Sequence, residues 1–472
     1  MEVESKRFKP AARAALLDTR LQSALENIQT GFPGKRARAI DGLPEWPEVR
    51  EHGTAIRDHT IAHLDTYLER FERRVVDSGG EVHWASDPAE ACSAVAAICR
   101  AAGARTVAKG KSMATEEIGL NEHLEGEGFT PIETDLGEYI LQLRGDHPSH
   151  IIAPAIHLKR DQIYDAFQAH HDPAMSSNSD GHAELQAEAR RVLRQRFLDA
   201  DVGITGANFC IAETGSTVIV TNEGNGDLSQ ALPRVHIVVA GIDKVVPTLE
   251  DTSTLLRLLG RSATGQDITV YTTFSTGPKR QDDLDGPEEF HVVLVDNGRS
   301  DMLGGELEPM MRCIRCGACM NHCPVYGSVG GHAYGWVYPG PMGAVLTPQM
   351  VGIENSGDLP NASTFCGRCA EVCPVKIPLP DLMRHWRERE YEAGYQPAAA
   401  RWGIGIWAWI ARRPGLYHRM ARLGGRALRL LARRRGRIAR VPLAGGWTDT
   451  RDLPAPSSRT FMDQWRAGRR LH

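Results

Sequence analysis

The chain has 472 residues with 42% apolar and 24% charged residues, too long for one ordinary domain and rich enough in core-forming residues to fold without disulfides. The first residues mix charges of both signs with no apolar core of a signal peptide. The longest apolar run, at 402–411, is about half the length a bilayer crossing needs, so a cytoplasmic protein is expected. The formal net charge of −4 hides an imbalance: residues 391–472 carry 17 Arg, no Lys and four acids, hence +13, leaving −17 on the rest.

In chain order, residues 1–58 read as a polar lead-in with one helix near 13–29, ending in the Pro-rich turn at Leu43–Pro47. From 59 the apolar residues Ile61, Leu64, Leu68, Phe71 and Val75 step by three and four, which predicts a helix that Ser78-Gly79-Gly80 ends. Pro88–Gly103 reads as a second helix. Short apolar strands follow at Thr106–Ala108, Ile151–Ala153, Phe209–Ala212, Thr217–Thr221, Val235–Ala240, Ile268–Phe274 and His291–Val295. Helices are expected at Glu184–Asp199 and Thr248–Leu259. This alternation predicts an α/β domain over 59–300 with a mainly parallel sheet. Residues 301–388 lose periodicity and gain Gly, Pro and Cys, as a cofactor-organised domain does. Residues 389–472 form a basic C-terminal segment with one or two amphipathic helices broken at Arg413-Pro414-Gly415.

Seven of the ten cysteines fall within 313–373. In a reducing compartment that density points to metal. The first group, Cys313-x2-Cys316-x2-Cys319-x3-Cys323-Pro324, has the bacterial ferredoxin spacing, in which the fourth cysteine ligates the other cluster. The second, Cys366-x2-Cys369-x3-Cys373-Pro374, aligns with the last three cysteines of the first, with Ser363 where a first cysteine would stand. Two [4Fe–4S] clusters are therefore expected. Cys313, Cys316, Cys319 and Cys373 would hold one. Cys323, Cys366 and Cys369 would hold the other, with its fourth ligand open among Ser363, a nearby histidine such as His322 or His332, water and a partner protein, and a three-iron cluster as the alternative. A zinc ribbon leaves the four-cysteine run unexplained, and seven thiolates do not divide into fours. Cys92, Cys99 and Cys210 sit in apolar stretches and read as small buried hydrophobes.

The blocks CIRCGACMNHCPVYGSVGGHAYGWVYPGPMG (313–343) and LPNASTFCGRCAEVCPVKIPLPDL (359–382) closely resemble the lactate utilization protein B family of iron–sulfur proteins. So do KSMATEEIGLNEHLE (111–125), ETDLGEYILQL (133–143), PSHIIAPAIH (148–157) and AETGSTVIVTNEGNGDLS (212–229). The resemblance implies an N-terminal lactate-utilization domain similar to sugar isomerase and CoA-transferase α/β folds, then a helical two-cluster ferredoxin-like domain and a family-specific C-terminal part. It also implies an electron-transfer role in oxidising L-lactate to pyruvate, with the lactate utilization proteins A and C as partners, and a three-cysteine second motif as the family's usual form. No catalytic residue follows from it.

Other residues carry weaker signals. Lys109, Lys111 and Ser112 follow a strand and precede Glu116 and Glu117; a helix cap is the first reading, a carboxylate-binding loop the second. Glu213, between two strands, reads as a turn acid, with a transferase nucleophile as the alternative that a CoA-transferase-like fold suggests. The Glu223–Asp227 stretch reads as a loop. His157, His236 and His291 read as core histidines. The segment 334–343 suits either a shell over the clusters or a plain connection. The basic tail, with Trp402, Trp407 and Trp409, suits an acidic partner first and an anionic membrane surface near quinone second. With no recognition motif, nucleic acid is not expected. A redox-sensing binding module is a further alternative function.

Overall fold

Strong β-branched runs between amphipathic helices build the first part of the chain. The computed structural model describes residues 3–171, 181–432, 435–441, 448, 451–457 and 459–468. They form two compact units, 1–389 and 390–472.

In the first unit six strands make an all-parallel sheet: β1 (Glu81–Ala85), β2 (Thr106–Lys109), β3 (Thr130–Glu133), β4 (Val202–Gly206), β7 (Val235–Gly241) and β10 (Glu289–Val295), in the order β1-β10-β7-β4-β2-β3. Its central strands are buried on both faces: all seven residues of 235–241 are buried, including His236, which bonds to Thr205 at 2.8 Å. Val235, Ile237 and Val239 pack with Val95 and Cys99 of the helix Pro88–Ala101; Val238 and Ala240 join the cluster containing Phe71 and Val75. A second sheet, in the order β8-β5-β6-β9, contains β5 (Phe209–Ile211), β6 (Ser216–Thr221), β8 (Val245–Val246) and β9 (Tyr271–Ser275).

The parallel sheet agrees with the expected α/β class, but three of its strands, β1, β3 and β4, escape the sequence reading. They are short and interrupted by Glu, His, Pro or Gly. Conversely, Ile151–Ala153 is no strand. The His150 imidazole accepts the backbone N–H groups of Ile152 and Ala153 at 3.0 and 3.1 Å, which turns the chain back on itself.

Residues 3–62 are more structured than the expected single helix. Helices Phe8–Leu17, Thr19–Asp41 and Trp46–Ala62 pack on the cysteine-bearing segment. Gln22 donates to Ser328 O at 2.8 Å, Ser5 to Tyr334 O at 2.9 Å, and Phe8 meets the Tyr334 ring edge at 5.3 Å. Polar and small residues crowd these helices, which obscures their apolar face.

Residues 301–389 are helical, in short pieces: Ala318–Asn321, Pro324–Val329, Gly340–Val351 and Arg368–Glu371, before the longer Leu379–Glu392. In the second unit helices Ala398–Ala411 and Pro414–Ala432 are separated at the expected Arg413-Pro414 break, and Trp402, Trp407 and Trp409 are exposed. Arg422 pairs with Asp463 at 2.5 Å. Among the described residues no helix is long and apolar enough to cross a membrane.

Candidate iron–sulfur site and adjoining cavity

The two cysteine motifs fold as a local repeat. Arg315, before Cys316, and Phe365, before Cys366, have φ of 56° and 53°; Gly317 and Gly367, after those two cysteines, have φ of 71° and 81°. Left-handed backbone costs a residue with a β-carbon about 1–2 kcal/mol, so its recurrence at Arg315 and Phe365 shows that each loop is held to one shape. In both loops a four-residue helix follows. The resulting curl aims backbone N–H groups at sulfur. Cys316 accepts from the amide of Ala318, Cys323 from Val325, Cys366 from Arg368 and Cys373 from Val375, each two residues on. Such amide–sulfur bonds favour negative charge on sulfur.

Cys313, Cys316, Cys319 and Cys373 line one small cavity, closed by Met310, Ile314, Met342 and Leu379. The thiol of Cys373 thus joins the first three although it belongs to the second motif. Cys323, Cys366 and Cys369 are within electrostatic reach of one another. Burial pushes the Cys316 and Cys369 thiols up to about 12 and Cys373 up to about 11; exposed Cys366 is lowered, chiefly by the Arg368 amide. Buried thiols of this kind become thiolates by binding metal. The all-sulfur donor set, the apolar closure and the amide-lined loops fit iron–sulfur clusters.

Of the other residues raised for the second site, Ser363 turns inward to its own loop and accepts from the Phe365 amide at 3.1 Å. His322 Nδ1 bonds to Ala318 O at 2.8 Å. His332 Nε2 lies 2.7 Å from His147 O and 3.6 Å from Asp146, which also faces His157 at 3.1 Å. Segment 334–343 is buried, and Met342 closes the first cavity while Tyr334 lies near Cys319 and Cys323.

Sequence reasoning missed the cations around the first cavity, because they come from the N-terminal helices and the sheet. Arg50 donates to Cys373 O at 2.8 Å and Glu371 O at 2.9 Å, and Arg36 to Val372 O at 2.8 Å. Arg57, fully buried, donates to the carbonyls of Asp243, Val245 and Met311 at 2.6, 2.8 and 2.8 Å. It thereby ties the turn before Cys313 to the sheet. Beside it runs a buried ionic chain. Glu117 binds both Nη atoms of Arg299 at 2.8 and 2.9 Å and accepts from Tyr338 at 2.6 Å and Asn297 at 2.7 Å. Arg299 Nε reaches Asp243 at 2.7 Å, and Arg315 lies 3.7 Å from Asp243 with its guanidinium 4.7 Å over the Tyr338 ring. Burial works against the Glu117 anion, yet Arg299 and its other donors hold that carboxyl below its ordinary range.

A much larger cavity, about 510 Å³, opens beyond the C-terminal ends of β2, β4 and β7, where open α/β sheets bind ligands. Its walls include Lys111, Ile152, Thr205, Val239, Leu259 and, from the first cysteine loop, Arg315. Ser112 caps the helix Met113–Glu117 as expected, while buried Lys109 pairs with Glu116 at 2.8 Å and Glu133 at 2.7 Å. Glu213 accepts from the Leu249 amide at 3.0 Å and is not part of these walls. His236 is a satisfied core residue, bonded to Thr205 at 2.8 Å and lowered to about 3 by burial. Cys92, Cys99 and Cys210 are buried among apolar residues.

Comparisons with known proteins agree with this layout. The LUD domain model matches residues 68–295, the 4Fe-4S dicluster domain 309–377, and the lactate utilisation protein B C-terminal model 389–469. Lactate utilization protein B of Bacillus pumilus (strain SAFR-032) is 43% identical over 470 residues, covering 98% of each chain. The protein of that name from Bacillus thuringiensis (strain Al Hakam) is 42% identical over 467 residues, covering 99% of this chain and 98% of its own. A solved duf162 family protein from Deinococcus radiodurans is 19% identical and spans 49% of this chain and 98% of its own, with a TM-score of 0.25. With relatives this similar along almost its whole length and a 4Fe–4S dicluster domain between its α/β and C-terminal parts, the chain belongs to the lactate utilization protein B family.

Proposed function

We propose that this chain is the iron–sulfur electron-transfer subunit of a complex that oxidises L-lactate to pyruvate, acting with lactate utilization proteins A and C. The observation that carries this reading is the grouping of seven thiols into two neighbouring sets within a 4Fe–4S dicluster domain. In it, Cys313, Cys316, Cys319 and Cys373 hold one [4Fe–4S] cluster; Cys323, Cys366 and Cys369 hold a second, whose fourth ligand is not a cysteine of this chain's motifs. Bound clusters supply one-electron carriers. The chain's own residues supply thiolates, amide donors to sulfur and a cationic surround at the first site. The proposed domain limits are 1–58, 59–300, 301–388 and 389–472, in a cytoplasmic protein whose basic C-terminal domain meets an acidic partner or the inner face of the membrane.

The test is anaerobic purification with the two partners, followed by iron analysis and EPR before and after L-lactate. Lactate-dependent reduction of two spectroscopically distinct clusters is expected. Cys373→Ser should remove the signal of the site that contains Cys313, and leave that of the site containing Cys366. Clusters that stay oxidised with lactate and both partners present would reject the role.

A further inference from the structure

Apart from the cysteines, the first unit gathers a second set of side chains with metal-ligand chemistry. Asp146 and His157 stand on the loop between the helices Leu136–Arg144 and Arg160–His170, and His332 stands on the short turn His332–Tyr334 between the two cysteine motifs. One carboxylate oxygen or ring nitrogen from each lies within 4.8 Å of the others. Three observations bear on what this group takes.

The first is spacing. His157 Nε2 is 3.1 Å from the Asp146 carboxylate; His332 Nε2 is 3.6 Å from that carboxylate and 2.7 Å from His147 O. Atoms bonded to one ion at about 2.0–2.2 Å stand about 3–3.5 Å from each other, so the three side chains are already near coordination-sphere separations.

The second is the orientation of His157. Ser149 Oγ donates to Pro154 O at 3.1 Å, so its oxygen accepts from His157 Nδ1–H at 2.6 Å. The other nitrogen of the neutral ring then points its lone pair at the Asp146 carboxylate. Two acceptors at that distance repel unless a proton or a metal ion stands between them. A polar group that holds one ring nitrogen while the other faces the ion is the common support of a ligating histidine.

The third is assembly. A β-carbon on Gly331 would fall 1.8 Å from Ser149 O, and Tyr326 donates to the same oxygen at 2.8 Å. The cysteine segment is therefore seated on the residue that orients His157. Side-chain exposure is 41% at His332 and 30% at Asp146 but 9% at His157, so the group is open to solvent on one side only. The cluster Glu81, His83 and His291 lacks this order: its two histidines bond each other at 3.2 Å and Glu81 is exposed.

We propose that Asp146, His157 and His332 bind one divalent transition-metal ion, zinc by its match to two imidazoles and a carboxylate, at a site separate from the cysteines. Water takes the position that three protein ligands leave open. The ion fastens the loop 146–157 to the turn between the cysteine motifs. Ile152 of that loop lines the large cavity and would lie 3.3 Å from a β-carbon on Gly317 in the first cysteine loop. Nothing in this site rests on the lactate reading.

The test is zinc binding to the full-length, anaerobically purified, cluster-loaded chain after dialysis against a mild chelator, read by elemental analysis and zinc K-edge X-ray absorption. About one zinc per chain is expected, with nitrogen and oxygen neighbours at about 2.0–2.2 Å, imidazole scattering and no sulfur at about 2.3 Å. Sulfur neighbours would put the zinc among the cysteines, so the readout is independent of the cluster EPR. Asp146→Asn and His332→Gln should each weaken zinc binding at least about tenfold with iron content unchanged, while His83→Gln binds as wild type does. Asp146→Asn, which keeps the side chain's shape, decides the matter if His332→Gln loses iron. No zinc in the wild type, zinc on sulfur alone, or undiminished binding in the Asp146 and His332 variants would overturn the proposal.

Discussion

Replacing Arg299 by Met should unfold the first unit far more easily than any other single change in the buried ionic chain. The guanidinium is 3% exposed, and its two carboxylate partners, Glu117 and Asp243, are 1% and 4% exposed. Its removal leaves Glu117 with only Asn297 and Tyr338, and Asp243 with Arg315 at 3.7 Å. Stranding a buried partner in this way costs about 3–5 kcal/mol, a shift of roughly two to three and a half decades in the folding equilibrium. Arg299→Lys keeps the charge but loses the planar fork that serves both carboxylates, and should fall between. The double variant Glu117→Gln/Arg299→Met should be less unstable than the two single losses summed, by about 0.5–3 kcal/mol. The pH dependence follows from the lowered Glu117 carboxyl. The unfolded chain binds that proton more readily, so the wild-type advantage is present above an unfolded pKa of about 4.3 and is lost as pH falls through the lower folded value. Urea titrations followed by far-UV ellipticity, at neutral and acid pH, measure all of this. A Met variant within about 1 kcal/mol of wild type at neutral pH, or a gap that does not narrow in acid, would refute the reasoning.

His150 offers a second pH probe. Burial lowers it to about 4, and its Nδ1 already accepts two amides while Nε2 meets Asn321 at 2.9 Å, so folding requires the neutral ring. Stability contributed by this residue should be lost as pH falls from about 6.5 toward 4, by about 3 kcal/mol in all, and His150→Asn, which keeps an acceptor for the amides, should flatten that slope in urea titrations across the window. Gly343→Ala places a β-carbon 1.5 Å from Tyr338 O, a main-chain atom, and should cost more than about 3 kcal/mol, seen as loss of iron and of soluble protein; a normally loaded variant would contradict the packing. Arg50→Met removes donors from Cys373 O, Glu371 O and Ala370 O, and should speed iron loss to a chelator and lower the midpoint potential of the first cluster, since a nearby positive charge favours the reduced, more negative form; an unchanged potential would count against it.

The cysteine loops were legible because their information is local. Spacing of two and three residues, a glycine after Cys316 and after Cys366, and a proline after the last cysteine determine much of a loop without help from elsewhere. The parallel sheet was legible for the same reason where a strand is a longer, mainly apolar run, as in the seven residues 235–241, and illegible where it is four or five residues interrupted by Glu, His, Pro or Gly, as in β1, β3 and β4. The surroundings of the first thiol group were hidden altogether. Arg36, Arg50 and Arg57 look like ordinary surface arginines on polar helices, and only the folding of residues 3–62 against the rest of the first unit brings them to the cysteine segment. Lys244 and Arg315 are 71 positions apart, from 244 to 315, and nothing in either neighbourhood announces that they share a wall. Ile151–Ala153 misled because its apolar pattern is that of a strand, whereas one buried imidazole supplies the amides with a different acceptor.

The placement of Cys373 beside Cys313, Cys316 and Cys319 has a consequence for biogenesis. A ribosome releases the first three thiols about sixty residues before the last. Through that interval the nascent chain exposes an unfinished sulfur cup, already flanked by arginines from its earliest helices. On the proposed ligand set, iron delivered before Cys373 emerges would meet three of the four thiols that line the cavity. Maturation machinery that waits for the completed segment would fill both positions together, and a truncation before 373 would disable the earlier motif as surely as the later one.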